Sequence, residues 1–427
     1  MGRIAARPSF FLPSESGFSS ATVLKKSCSL TKTILMATKN PFRFAHPFFT
    51  TLPQEERSLV PGLGHRMTDF IKTKLEKIPD PKREPTMALE EIIGHDGAKQ
   101  IEASKAIRFH AVGDTGHENG FDEEAVADAM AADYDISHPE KCPAFLFHLG
   151  DVIYYDNTDR GYQAQFYVPY RKYPGKIIAI PGNHDGEIFR YDGKPTGQKT
   201  TLEAFQKNFC APKPAVPSGA GTIYREMVSQ PGVYWLLDAP FVNVVGLYSN
   251  VAENPGFLEA PSIGQKQMDW LVKTLAGIKK QRDKGIRKAL FIATHHPPFS
   301  NGSHSGSAEM LADIDKACQQ SGIMPDVVLA AHAHSYQRYT RSVNFQGKPM
   351  DIPFLVVGSG GRGLQQVVPA SGQKMGDHRY DKSLMGFGYL SVTVTERLVT
   401  LNFIQVQGET KTSFDKITVD LTTHRIA

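Results

Sequence analysis

Short apolar runs recur along the middle of this chain, and most of them stop at a glycine or at a polar residue able to carry chemistry. Ile107–Val112, Ala144–Leu149, Lys176–Pro181, Ala289–Thr294 and Val327–Ala331 each read as a strand covered on both faces, because near-continuous apolar positions replace the alternation of a half-exposed one. Between them lie stretches with helical spacing. Asp122–Tyr134 is alanine-rich, Gly264–Gly285 sets Met268, Trp270, Leu271, Leu275 and Ile278 on one side, and Ser307–Cys318 is a third helix. Strands alternating with helices predict βαβ units and a largely parallel sheet. Ile223–Met227, Val233–Leu237 and Val242–Leu247 are more closely spaced and joined by turns such as Gln230-Pro231-Gly232, which predicts antiparallel strands of a second sheet or of a sheet extension. Phe354–Val357 and Tyr389–Gln405 carry β character to the C-terminal end.

Upstream the pattern is different. Met67, Phe70, Ile71 and Leu75 predict a helix over 64–78, and 87–94 a second short one, with Pro79-Asp80-Pro81-Lys82 as the break between them. The chain therefore divides into a leader (1–60) outside the fold, a helical preface (61–106) and one catalytic domain (107–427). In the first 50 residues Glu15 is the only acid, against Arg3, Arg7, Lys25, Lys26, Lys32, Lys39 and Arg43. That bias resembles an organellar transit peptide, and the apolar stretch around Ile34 is too short for a secretory signal. Translation from Met36 explains the leader equally well, and a cytoplasmic location is favoured over an organellar one.

Composition changes little. With 41% hydrophobic and 22% charged residues the chain is ordinary for a globular protein, and a net charge of +4 gives no reason to expect a nucleic acid or an anionic membrane as partner. No run of about 18 apolar residues exists to cross a membrane. Cys28, Cys142, Cys210 and Cys318 are scattered without a CxxC pair, which suits unpaired thiols in a reducing compartment.

The residues at the run ends are more informative. Asp114, Asp151 and Asn183 (in Gly182-Asn183-His184-Asp185) each follow a glycine after an apolar run, and His295 in His295-His296-Pro297-Pro298 directly follows its own run. A lone Gly-Asp is most often a helix N-cap or turn, but two of them about one βαβ unit apart place carboxylates where open α/β sheets bind ligands. One carboxylate of Asp151 can serve two cations, and Asn183 offers a neutral carbonyl oxygen. Tyr154 is either a core aromatic or a phenolate ligand that would select a trivalent ion. His184 either works beside a metal or is satisfied by a carboxylate such as Asp185. Adjacent His295 and His296 cannot both face one site from an extended segment, whereas His332 and His334, two apart, can. A glycine-rich turn over 358–363 carries Arg362, either as a structural residue or as a contact for phosphate.

In that order, GDTG at 113–116, GDVIY at 150–154, GNHD at 182–185, His295 and the His332/His334 pair resemble the calcineurin-like metallophosphoesterases, and more narrowly the purple acid phosphatases. The resemblance covers about 107–405, with Ala331 replacing a family glycine. It implies a four-layer α/β/β/α fold of two packed mixed β-sheets flanked by helices. It implies an Fe(III) site of Asp114, Asp151, Tyr154 and His334, and a site for divalent Fe, Zn or Mn formed by Asp151, Asn183, His295 and His332. His295 is taken as the ligand because His295-His296-Pro297 fits the family's His-x-Pro. His184 would then stabilise phosphoryl charge, and His304, nine residues beyond His295, or else His296, would protonate the leaving group. The implied reaction is hydrolysis of a small phosphomonoester by in-line attack of a metal-activated hydroxide. A phosphodiesterase with two divalent ions, acting on cyclic nucleotides or similar esters, is the alternative. A non-catalytic metal-binding protein ranks behind both.

Overall fold

The computed structural model describes residue 72, residues 75–117 and residues 120–427. The expected leader and most of the expected helix over 64–78 lie outside these residues; within that stretch Lys72 is helical, whereas 75–78 have no regular secondary structure, with Leu75 and Ile78 buried.

Two mixed sheets form the body. The seven-stranded sheet contains β2 (Ile107–Val112), β3 (Phe145–His148) and β4 (Lys176–Ala179) as parallel neighbours. It is completed in antiparallel fashion by β13 (Gly388–Val394), β14 (Leu398–Gln407), β15 (Thr410–Asp420) and β16 (Arg425–Ile426). The nine-stranded sheet runs β1 (Thr86–Ala88), β5 (Trp235–Ala239), β6 (Val242–Gly246), β7 (Ala289–Ala293), β8 (Val327–Ala330), β10 (Lys348–Val357), β9 (Tyr336–Phe345), β12 (His378–Leu384) and β11 (Lys374–Met375). Within it β6, β7, β8 and β10 are parallel neighbours. Every residue of β3, β6, β7 and β8 is buried, as expected of strands covered on both faces.

The sheets pack face to face. Phe109 of β2 meets Phe291 of β7 edge-on at 5.8 Å, and Phe147 of β3 lies 5.3 Å from Trp235 of β5, whose indole N–H donates to Ala179 O. The helix Lys266–Asp283 buries Met268, Trp270, Leu271, Leu275 and Ile278, the stripe read from the spacing, and packs against the helix Ala308–Ser321.

Three expectations are corrected. Ile223–Met227 forms no strand; only Met227 pairs, through one bridge to Ala215. The segment expected as a helical preface contributes β1, which pairs in parallel with β5, and its helix starts later and runs longer, over Glu90–Ser104. The antiparallel end is larger than expected, because β9, β12 and β15 mix apolar with charged positions and show no clean apolar run.

Candidate metal centre

The candidate ligands converge from both sheets rather than from one edge of a single sheet. Asp114, Asp151 and Asn183 follow β2, β3 and β4, while His295, His332 and His334 follow β7 and β8. All of these are strand C-terminal ends, where open α/β sheets present ligand sites. Asp114, Asp151 and His332 adopt φ of 55°, 52° and 68°, a left-handed backbone unusual for non-glycine residues and typical of strained functional positions. Two glycines make the convergence possible. A Cβ at Gly182 would fall 2.1 Å from Asp151 Oδ1, and one at Gly113 would fall 2.6 Å from the Cβ of Ala331, so Gly113 supplies the room that Ala331 occupies.

The donor atoms fall into two overlapping groups. Tyr154 Oη lies 3.1 Å from Asp114 Oδ1 and 3.2 Å from His334 Nε2. One donor atom each from Asp151, His295 and His332 lies within 4.8 Å of the others, and His295 Nε2 is 3.2 Å from Asp151 Oδ2.

The residues around the donors fit a cation. Nδ1–H of His295 donates to Leu149 O, Nε2–H of His332 to Glu253 O, and Nδ1–H of His334 to Gly363 O. Each ring is thereby fixed in the tautomer that leaves its other nitrogen as a lone pair beside the cluster, the arrangement usual for metal-ligating histidine. Asn183 Nδ2 donates to Glu253 Oε2, while Asn183 Oδ1 and Asp151 Oδ2 are buried without a hydrogen-bond partner. Orphaned buried oxygens are costly without a positive partner.

Electrostatics agree. Burial, countered in part by His295, pushes Asp114 up to about 7. Burial and the carboxylates of Asp114 and Asp151 hold the Tyr154 phenol well above its ordinary pKa, with Arg362 opposing them. His184 Nδ1 sits 2.7 Å from the buried Glu187 carboxylate. Although burial works against it, Glu187 and then Asp151 raise the His184 pKa well above its ordinary value, which favours the charged ring. The carboxylate that pairs with His184 is thus Glu187, not Asp185, which instead accepts from the N–H groups of Gly182 and Val152.

The two candidate acids differ. His296 is buried, with Nδ1 on Ser249 Oγ and Nε2 on Ala252 O, and it supports the site from behind. His304 lies against His332, the rings tilted by 42° with centroids 4.1 Å apart, and touches the side-chain amides of Asn254 and Gln365. Burial and neighbouring histidines depress its pKa to about 3.

One segment missed by sequence reasoning holds much of this together. Across 249–254, Ser249 and Ala252 fix His296, Glu253 fixes Asn183 and His332, and Asn254 meets His304. Its sequence, Ser-Asn-Val-Ala-Glu-Asn, has no metal-site spacing that could have singled it out.

The calcineurin-like phosphoesterase family matches residues 107–336, more than half of the chain and every candidate ligand. The chain belongs to that family. Narrower similarity runs to plant enzymes. Purple acid phosphatase 15 of Arabidopsis thaliana is 25% identical over 188 residues, covering 43% of this chain and 29% of that protein. Purple acid phosphatase 23 of the same plant is 27% identical over 187 residues, covering 43% and 34%. The match thus spans about a third of each relative's length. Among solved structures, GAP50, the anchor in the inner membrane complex of Plasmodium, superposes with a TM-score of 0.50 at 11% identity over 74% of this chain and 89% of that one, a likeness of fold.

Proposed function

We propose that the protein hydrolyses small phosphomonoesters at a dinuclear centre, with Fe(III) held by Asp114, Asp151, Tyr154 and His334 and a divalent ion held by Asp151, Asn183, His295 and His332. The observation that carries this reading is the pair of buried, unpartnered oxygens of Asp151 and Asn183 beside three histidines whose outer nitrogens are tied to backbone carbonyls. Two cations there would supply Lewis-acid charge to phosphate oxygens and acidify a water molecule.

The protein's own residues do the rest. His184, kept cationic by Glu187, places positive charge beside the centre where phosphoryl oxygens gain negative charge. His304 is neutral in the free protein, and the approach of a phosphate anion favours its protonated form, from which it passes a proton to the leaving oxygen. Asn254 and Gln365 orient its ring for that transfer.

The test combines metal analysis, spectroscopy and a substrate pair. Purified protein should hold two metals per chain and show a visible tyrosinate-to-iron band that Tyr154→Phe abolishes. It should also cleave p-nitrophenyl phosphate faster than bis-p-nitrophenyl phosphate. Preference for the diester without the band would replace this reading with a phosphodiesterase using two divalent ions. Full metal loading with no turnover of either ester would end the catalytic reading.

A further inference from the structure

Partly buried arginines in this protein have acceptors. Arg338 holds Asp415 and Asp381, Arg341 holds Asp315 and Asp377, and Arg282 holds Asp326. Arg362 is the exception: among the described residues its guanidinium makes neither a hydrogen bond nor an ion pair. It lies over the Tyr154 ring, 4.3 Å from its centroid, and 5.4 Å from that of Tyr155. Its backbone is fixed by an N–H bond to Asp114 O, so it is anchored to the loop that carries a candidate ligand.

A second guanidinium meets the same ring. Arg190 is 5.4 Å from the Tyr155 centroid; its closest carboxylate, on Asp192, is 3.7 Å away, and its buried Nε has no hydrogen-bond partner. Tyr155 itself takes φ of 63°, a left-handed conformation costly for an aromatic residue, and its ring lies 5.2 Å from that of His184. The strained backbone sets the Tyr155 ring beside His184, with the guanidiniums of Arg362 and Arg190 each 5.4 Å from its centroid.

We propose that Arg362, Arg190 and Tyr155 form a second-anion subsite, and that the preferred substrates are diphosphates whose terminal phosphoryl group sits at the centre while the next one meets the two guanidiniums. The proposal rests on reading the centre as a phosphoryl site. A guanidinium beside two metal cations is repelled by them and stabilised by an incoming anion. Planar, forked guanidinium also suits phosphate oxygens better than the phenol faces it now covers. Arg190 sits on a separate loop, so one phosphate at the centre does not account for it. In the reaction, water adds to the terminal phosphorus, the bridging P–O bond breaks, and the proton lost by water ends on the departing phosphate.

The test is binding of non-hydrolysable probes to the metal-loaded full chain. Titration calorimetry with methylenediphosphonate and with methylphosphonate should give at least a tenfold preference for the diphosphonate, with metal content unchanged afterwards. Arg362→Gln and, independently, Arg190→Gln should each reduce that ratio several-fold. Equal affinities in the unaltered protein would overturn the proposal without any variant. A parallel loss of both affinities in Arg362→Gln would also overturn it, by placing Arg362 on the reacting phosphate. Because the readout is binding, failure to turn over any ester would refute the phosphohydrolase reading and leave the subsite result standing on its own.

Discussion

Replacing Glu253 by alanine separates support of the ligands from the ligands themselves. The carboxylate accepts from Asn183 Nδ2 at 3.1 Å and lies 3.7 Å from His304 Nδ1, while the Glu253 carbonyl accepts from His332. Substitution removes the first two contacts and spares the third, so the loss should fall on Asn183 and His304. A hydrogen bond to a charged acceptor is worth about 1.5–3 kcal/mol. Freed from it, Asn183 can rotate its oxygen away from the cluster, and loss of such an outer partner typically weakens metal binding about 10- to 100-fold. The two figures agree, because about 1.4 kcal/mol is tenfold in affinity. Competition against a chelator, read by metal analysis, should show one of two metals in Glu253→Ala binding 10- to 100-fold more weakly. Glu253→Gln, which keeps an acceptor oxygen for Asn183, should lose less. The tyrosinate band should survive in both, since Tyr154, Asp114 and His334 do not touch Glu253. Wild-type affinity for both metals in the alanine variant, or loss of the band ahead of the divalent ion, would refute the reasoning.

Three further outcomes are expected. Gly182→Ala drives a Cβ to 2.1 Å from Asp151 Oδ1 and 2.4 Å from its backbone nitrogen, so urea unfolding should show a loss of about 3 kcal/mol together with loss of metal. His304→Ala should slow an alkyl phosphate by about 10²-fold and p-nitrophenyl phosphate much less, because p-nitrophenolate departs without a proton; equal effects on kcat would remove His304 as the acid. Asp313 is pushed up to about 6 by burial and by Glu259. A raised carboxylate pKa means the folded state binds its proton more tightly, so this group's contribution to stability is present below pH 4 and is lost as pH rises through 6. Asp313→Asn should therefore stabilise at pH 7 by about 1 kcal/mol, after discounting for its exposed part, and leave stability at pH 4 unchanged in urea titrations.

The candidate ligands were readable because each stands at the end of an apolar run, so one physical pattern announced both strand and site. The alternation rule let only one of His295 and His296 face the site, the resemblance to His-x-Pro chose His295, and the structure turns His296 onto Ser249 and Ala252. What supports the ligands was not readable. Glu187 and Glu253 reach His184 and Asn183 through loop conformation, which carries no periodicity, and Glu253 acts from 70 residues away. The miss at Ile223–Met227 has a related cause: apolar residues there pack as a loop, with Met227 buried and Tyr224 exposed, without the alternation of a strand. β1 was hidden because three residues paired at a sheet edge leave too short a pattern to see.

The origin of the ligands in both sheets has a consequence for the protein as a whole. A cation held by Asp151 from one sheet and by His295 and His332 from the other would be a bolt through the sandwich. Neither sheet alone presents the whole proposed set, so tight binding would require the two to be docked, and ligation would close the folding reaction rather than seed it. Each tenfold excess of metal over its dissociation constant then adds about 1.4 kcal/mol to the docked state. Such an ion would be released when the sheets part, so its loss on unfolding would report the opening of the core.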